Sequence, residues 1–484
     1  MLRRLSAISL ATLVVAAGPA YSAEITADGA KALADEFARY IGKDAFDKGY
    51  VSITPRGESY LVTLDTEKLV KLVPSESGSV TVDGKAAFTA EPLDDGTWRV
   101  RNDSTPSSVT MTLNPPHGPE TFTYTFDGPI DGDGIFDPSL GVFRSYTGRS
   151  NGFSMTGPGV QAEEKNISVT MSGTAVSDGV SDIEGNAGID SLDETFTIPD
   201  APPMQLSVRQ IGQDFAVKAL KGRAILDLLA FIVAHNKEDK LAAENESEFK
   251  SLVNAALPLF DHHDQTLSMA SLAVESPMGP VTMDNFGMRF AMSGLVAKAE
   301  MSLGVKAENL AFPPVGIPPW AVQLVPTAFD VGLGVDGMDL EAPSKLFVSE
   351  MDINDPKPVT PQVEEQLAKL ALPTGKVHVT IQPTTVLSSL YTANATGDFD
   401  IVPAEPQPIV EGTATITMKG LDETMAAIQA EAANDPEAAG AAMGLTFAKG
   451  LAKTNPDGSA TWEIAVAANG SVRINGQMMV PPSR

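Results

Sequence analysis

Thr121-Phe122-Thr123-Tyr124-Thr125-Phe126 alternates hydroxyl and aromatic side chains without a break. In a β-strand successive side chains point to opposite faces, so this hexapeptide predicts a strand with one face buried and the other wet. Working outward, Ser108 to Leu113 and, more loosely, Ile167 to Met171 repeat the two-residue period. Clusters of Gly, Pro, Asn and Asp punctuate the chain about every eight to twelve residues, as turns between short strands do. The pattern predicts antiparallel sheet with one face covered. Near the end, Trp462, Ile464 and Val466 alternate, Asn469-Gly470 supplies a turn, and Val472 and Ile474 return, which predicts a closing hairpin.

Helical spacing appears in three places. Ala30, Leu33, Phe37 and Tyr40 or Ile41 share one face of a helix that Asp28 could cap. Ala224 to His235 and Glu248 to Phe260 form two more amphipathic segments, predicting an αα-hairpin over a sheet face. A third region runs from Asp422 towards Ala452 and is interrupted at Asn434-Asp435-Pro436. The expected fold is therefore α+β and β-rich: long antiparallel meandering sheets with a few amphipathic helices packed on one face. No fixed repeat period supports a solenoid or propeller. The prolines of IPDAPPM, Pro199, Pro202 and Pro203, mark a boundary. They divide the chain into a β-rich domain at 24–200, a middle domain at 201–410 with the αα-hairpin, and a strand–helix–hairpin segment at 411–484 that can continue the middle sheet. The proline-dense bridge from Pro313 to Pro326 reads as edge or extended connection.

The 484 residues carry a formal charge of −28 and no cysteine. The acidity disfavours nucleic acid and anionic membrane surfaces as partners. Without cysteine there are no disulfides, thiolate metal sites or thiol nucleophiles. Arg3 and Arg4 precede the apolar run Leu5 to Ala17, and Ala20, Ser22 and Ala23 follow Gly18-Pro19. This pattern predicts a secretory signal peptide at 1–23 and an exported, periplasmic protein with no integral membrane span.

Chemistry is harder to find. Gly148-Arg149-Ser150-Asn151-Gly152 matches G-x-S-x-G, but the flanks lack the apolar strand and following helix that a nucleophile elbow needs. Asp131, Asp133 and Asp137 resemble the start of a calcium loop whose closing ligands are missing, so they are weak metal candidates and no metal site is assigned. Asp261-His262-His263-Asp264 predicts a surface turn after a helix, and His117, His235 and His378 stand alone. No cofactor is expected, and no enzyme activity. Met269, Met283, Met288, Met292 and Met301 lie on predicted strands, where pliable apolar side chains can line a groove for a hydrophobic ligand.

The stretch Gly134-Ile135-Phe136-Asp137-Pro138-Ser139-Leu140, the run Val325-Pro326 through Val335-Asp336-Gly337-Met338-Asp339-Leu340, and the tail from Gly420-Leu421-Asp422 to Asn475-Gly476 resemble the secreted alphaproteobacterial proteins grouped as domain of unknown function 2125. The resemblance implies a Gram-negative periplasm and a β-rich architecture, with no reaction or catalytic residues to carry over. The leading expectation is a non-enzymatic periplasmic protein that binds a lipid-like or other hydrophobic ligand for envelope maintenance. The alternatives are a structural or protein-partner envelope module and, more remotely, a serine hydrolase.

Overall fold

A computed structural model describes residues 25–72, 78–116, 118–198 and 201–482. The segment 1–23, His117 and Pro199 lie outside the described residues. Of the described residues 48% lie in strands and 23% in helices, a β-rich α+β fold with long antiparallel sheet. Among the described residues the α-helices are α1 (Ala27–Ile41), α2 (Asp44–Asp47), α3 (Thr66–Val70), α4 (Gly222–His235), α5 (Ala243–Ala256), α6 (Glu341–Glu350), α7 (Pro361–Ala371), α8 (Leu421–Glu431) and α9 (Pro436–Leu451).

The chain divides into two compact units. The first holds the described residues up to Pro203 together with Gln210–His263 and Ser344–Glu364; the second holds Met204–Arg209, Asp264–Pro343 and Glu365 onward. The αα-hairpin thus belongs to the first unit, not to the strands that follow it in sequence.

In the first unit, α1 explains the covered sheet. Its cap is Thr26, whose Oγ1 accepts from the Gly29 N–H at 3.1 Å, so the helix starts before the predicted Asp28. Ala30, Leu33, Phe37 and Tyr40 are its buried residues, as the spacing required. Ala30, Leu33 and Phe37 form one core with Tyr60, Ala90, Trp98, Val100 and Phe136 of the sheet. Those sheet residues are brought together by register: Tyr60 faces Ala90, Ala90 faces Val100, and Trp98 faces Phe136 on four successive antiparallel strands. Burying an aliphatic or aromatic side chain this completely contributes about 1.5–3 kcal/mol each. The strand Val142–Gly157 then pairs with Asp131–Asp137 along its first part and with Glu120–Phe126, the alternating hexapeptide, near its end. Val160–Ser177, Val180–Phe196 and Gln210–Leu220 extend the sheet in antiparallel order.

Two local readings are corrected. The second helix of the αα-hairpin runs Ala243–Ala256 rather than Glu248 to Phe260, because Pro258 follows Leu257 and cannot extend it. His262 and His263 are not in a turn capping that helix; they open the strand His262–Glu275.

In the second unit, Val281–Ser293, Ala299–Glu308, Ala328–Met338, Val377–Leu387, Thr392–Val402, Ile409–Lys419, Ala460–Val466 and Val472–Ile474 pair antiparallel, each with the next. The predicted closing hairpin is present, with Gly470 in the left-handed conformation its turn demands. Helices α8 and α9 are separated at Asn434-Asp435-Pro436, where the Asp435 carboxylate accepts from the N–H groups of Glu437 and Ala438.

Candidate functional site

Register on the second unit's sheet sorts its side chains into two unlike faces. Residues directly opposite on paired strands point the same way. One row across the strands runs Met292, Met301, Val335, Val379, Phe399; the next runs Phe290, Leu303, Leu333, Ile381, Gly397, Ala414, Ile464, Ile474. Beyond them, Met288 faces Val305, and Val305 faces Val331. Every side chain in these rows is apolar. On the reverse face the rows are small or polar: Ala291, Ser302, Gly334, Thr380, Asp398 and Thr413 form one, and Asp336, His378, Asp400 and Glu411 another.

A one-sided apolar sheet ordinarily buries that side. Here the middle of it remains open. Leu333 keeps 52% of its surface exposed and Met301 45%, with Met288 and Leu303 exposed beside them. Helix α9 reaches one end of the face, where the Trp462 indole, in register with Ile416, donates to the Ala448 carbonyl at 2.7 Å. The arrangement offers an elongated apolar strip with no charged side chain in its rows. Chemically it can hold hydrocarbon and cannot polarise a bond or move a proton.

Of the methionines singled out in the sequence, Met288, Met292 and Met301 lie on this strip. Met283 alternates with Asn285, Gly287 and Arg289 and so belongs to the reverse face. Met269 is half-buried on the strand His262–Glu275, outside these rows. Sequence reasoning missed Leu303, Leu333, Val335, Ile381 and Phe399. Their signal was the period-two apolar series 301-303-305, 331-333-335 and 377-379-381 on separate strands.

Most of the remaining candidates are occupied by the protein's own groups. Ser150 sits within the extended strand Val142–Gly157 opposite Ile167, and its Oγ accepts from the Gly152 N–H at 3.1 Å; no turn and helix follow it. Asp131 is exposed on its strand. Asp133 bridges Arg99 at 2.6 Å and Arg101 at 3.2 Å, and the Arg99 guanidinium holds its carboxyl below the usual range. Asp137 is buried, yet hydrogen bonds from Ser139 and Arg144 outweigh the burial and keep it ionised below its ordinary pKa. Among the described residues no group of three or more His, Asp or Glu side chains is arranged to hold a metal ion.

His378 sits between two carboxylates of the neighbouring strand. Its Nε2 lies 2.7 Å from Asp398 Oδ1 and its Nδ1 3.1 Å from Asp400 Oδ1. A neutral imidazole has one N–H, so two carboxylate partners call for the imidazolium, and the Asp400 hydrogen bond raises its pKa. In the first unit a cleft of about 670 Å³ opens between α1, α4 and α5, lined in part by Ile41, Phe231, Val233 and Leu252. Some of the polar groups around it are paired internally: Asp44 with Lys48 and Lys237, while His235 Nδ1 lies 2.8 Å from Glu238.

No family model, curated protein or solved structure matches the chain. Among the described residues, no helix is long and apolar enough to cross a membrane.

Proposed function

We propose that this is an exported, non-enzymatic periplasmic protein whose second unit carries a lipid-like ligand along the open apolar face of its sheet, in the service of envelope maintenance. The observation that carries the reading is the pair of adjoining rows from Phe290 to Ile381 and from Met292 to Phe399, apolar throughout and left half-uncovered at Leu333, Leu303 and Met301. Leaving such a strip in water costs about 25 cal/mol for each Å² that a ligand could cover, so an acyl chain laid along it gains affinity without any polar contact. Helix α9 reaches one end of the strip through the Trp462–Ala448 hydrogen bond, and the middle is left for the ligand. Methionine supplies surface that adapts to chains of different length.

Export rests on the leader-like pattern at 1–23, and membership of the alphaproteobacterial family rests on the motifs quoted above; both belong to this proposal. The test is organic extraction and mass spectrometry of the chain recovered from a periplasmic extract. A stoichiometric acyl-chain lipid supports the reading. Recovery from the cytoplasm with no bound lipid overturns it.

A further inference from the structure

Three Asn-Gly pairs occur in the sequence, Asn151-Gly152, Asn469-Gly470 and Asn475-Gly476, and the fold treats them differently. Asparagine followed by glycine is the dipeptide that cyclises most readily, because a residue without Cβ lets its backbone nitrogen swing towards the preceding side-chain carbonyl. Whether it reacts depends on what holds the amide and the backbone around it.

The Asn475 amide is fully engaged. Its Nδ2 donates to the Leu451 carbonyl at 2.7 Å and to the Thr461 carbonyl at 2.9 Å, and its Oδ1 accepts from the Glu463 N–H at 3.0 Å. Both donors and the oxygen of the side chain are therefore in use. Asn151 has an exposed side chain but a fixed backbone. It lies inside the strand Val142–Gly157, paired with Val160–Ser177. The next residue, Gly152, donates its N–H to Ser150 Oγ at 3.1 Å and accepts from the Asp127 N–H at 2.9 Å.

Asn469 stands at the tip of the closing hairpin, between Ala460–Val466 and Val472–Ile474, where Ala468, Asn469 and Gly470 are all exposed. Among the described residues its Nδ2 has no hydrogen-bond partner, so nothing retains that nitrogen. Its Oδ1 accepts from the Ser471 N–H at 3.1 Å, which draws electron density from the carbonyl carbon and opens it to attack. One bond opposes the reaction: the Gly470 N–H donates to the Ala467 carbonyl at 2.9 Å. That bond belongs to the turn itself, and an exposed turn opens at far lower free energy than the interior of a sheet.

We propose that Asn469 is a site of spontaneous deamidation in the folded protein, and that Asn151 and Asn475 are protected by the fold. The Gly470 nitrogen gives its proton to solvent hydroxide and attacks Asn469 Cγ. The N–Cγ bond forms, the Cγ–Nδ2 bond breaks, and the amide nitrogen takes a proton from water and leaves as ammonia, which restores the hydroxide. One water molecule then opens the cyclic imide. Cleavage of its bond to Cγ gives aspartate, and cleavage of its bond to the residue 469 backbone carbonyl gives isoaspartate. Nothing is oxidised or reduced. The aspartate form keeps an acceptor for the Ser471 N–H. The isoaspartate form runs the backbone through the side chain and lengthens a turn whose ends, Val466 and Val472, are fixed in register.

The test is incubation of the purified chain in mildly alkaline buffer at physiological temperature, folded and in parallel unfolded in urea, followed by peptide mapping with mass spectrometry. In the folded chain the peptide containing Asn469 is expected to convert to its aspartyl and isoaspartyl forms. The peptide containing Asn475 should lag by roughly a hundredfold, since its hydrogen bonds must open first, and that containing Asn151 should lag as well. In urea all three peptides should convert at comparable rates, which assigns the difference to the fold and not to sequence neighbours. Conversion of Asn475 or Asn151 as fast as Asn469 in the folded chain overturns the inference. So does a folded chain whose Asn469 stays intact over the time in which the unfolded chain is converted.

Discussion

The two units use the same raw material, antiparallel strands with one apolar face, and finish it differently. In the first, α1 lays Ala30, Leu33 and Phe37 onto Tyr60, Ala90, Trp98 and Val100, and every one of these residues is buried. In the second, the comparable rows through Leu303 and Leu333 reach solvent. The first face is a core, where hydrophobic area becomes stability. The second leaves hydrophobic area exposed, which on the proposed reading becomes affinity. An exposed apolar patch of this continuity on a strongly acidic chain is the clearest functional sign the molecule bears.

Substitution should separate the two faces sharply. Phe37→Ala leaves a cavity in the first core and should lower unfolding free energy by about 3–5 kcal/mol in a urea titration. Leu333→Asp, at a half-exposed position, should lower it by only about 1–2 kcal/mol, while abolishing binding of a fluorescent fatty acid. Equal destabilisation by both would mean that the strip is covered in solution and that the contrast is false.

Gly420 tests the frame that carries the strip. It sits at φ +81° before α8, and a Cβ there would lie 2.0 Å from the Leu390 carbonyl oxygen. Gly420→Ala should cost about 2 kcal/mol or more, read as a lower midpoint in thermal melting, and should weaken ligand binding only through loss of folded protein.

Asp137 sharpens the contrast on the first unit's side. Its folded pKa is depressed, so its stabilisation is present above the unfolded value of about 3.9 and is lost as pH falls through the folded pKa. Asp137→Asn should cost about 1–3 kcal/mol at pH 7 and flatten the acid limb of the stability curve below about pH 4.

The smallest effect is expected at His378, on the polar back of the strip. Its folded pKa is raised, so its contribution is complete below the unfolded value of about 6.5 and disappears as pH climbs through the folded pKa. The ring and its partners are partly solvated, so His378→Gln should cost under about 1 kcal/mol at pH 5.5 and nothing measurable at pH 9 by urea titration.

The alternating hexapeptide, the face of α1, the break at Pro436 and the closing hairpin are all local, and each was legible because its signal fits within a few residues. The second helix of the αα-hairpin was misplaced by several positions because Leu257 and Phe260 continue a helical period that Pro258 interrupts. The strip was only partly legible. Met288, Met292 and Met301 stand out by residue type, whereas Leu333, Ile381 and Phe399 are ordinary strand residues until register aligns strands separated by tens of residues. Which apolar face an amphipathic helix will cover depends on tertiary pairing, so the sequence has no mark for it. The same holds for His378, whose carboxylate partners Asp398 and Asp400 lie on the neighbouring strand.

The most direct test of the open strip is photocrosslinking of the purified protein with a diazirine-bearing fatty acid, followed by peptide mapping. The account predicts adducts concentrated on Phe290, Met301, Leu303, Leu333 and Ile381, suppressed by excess unlabelled fatty acid and by Leu333→Asp. Labelling confined to the first unit, or scattered without competition, would contradict it.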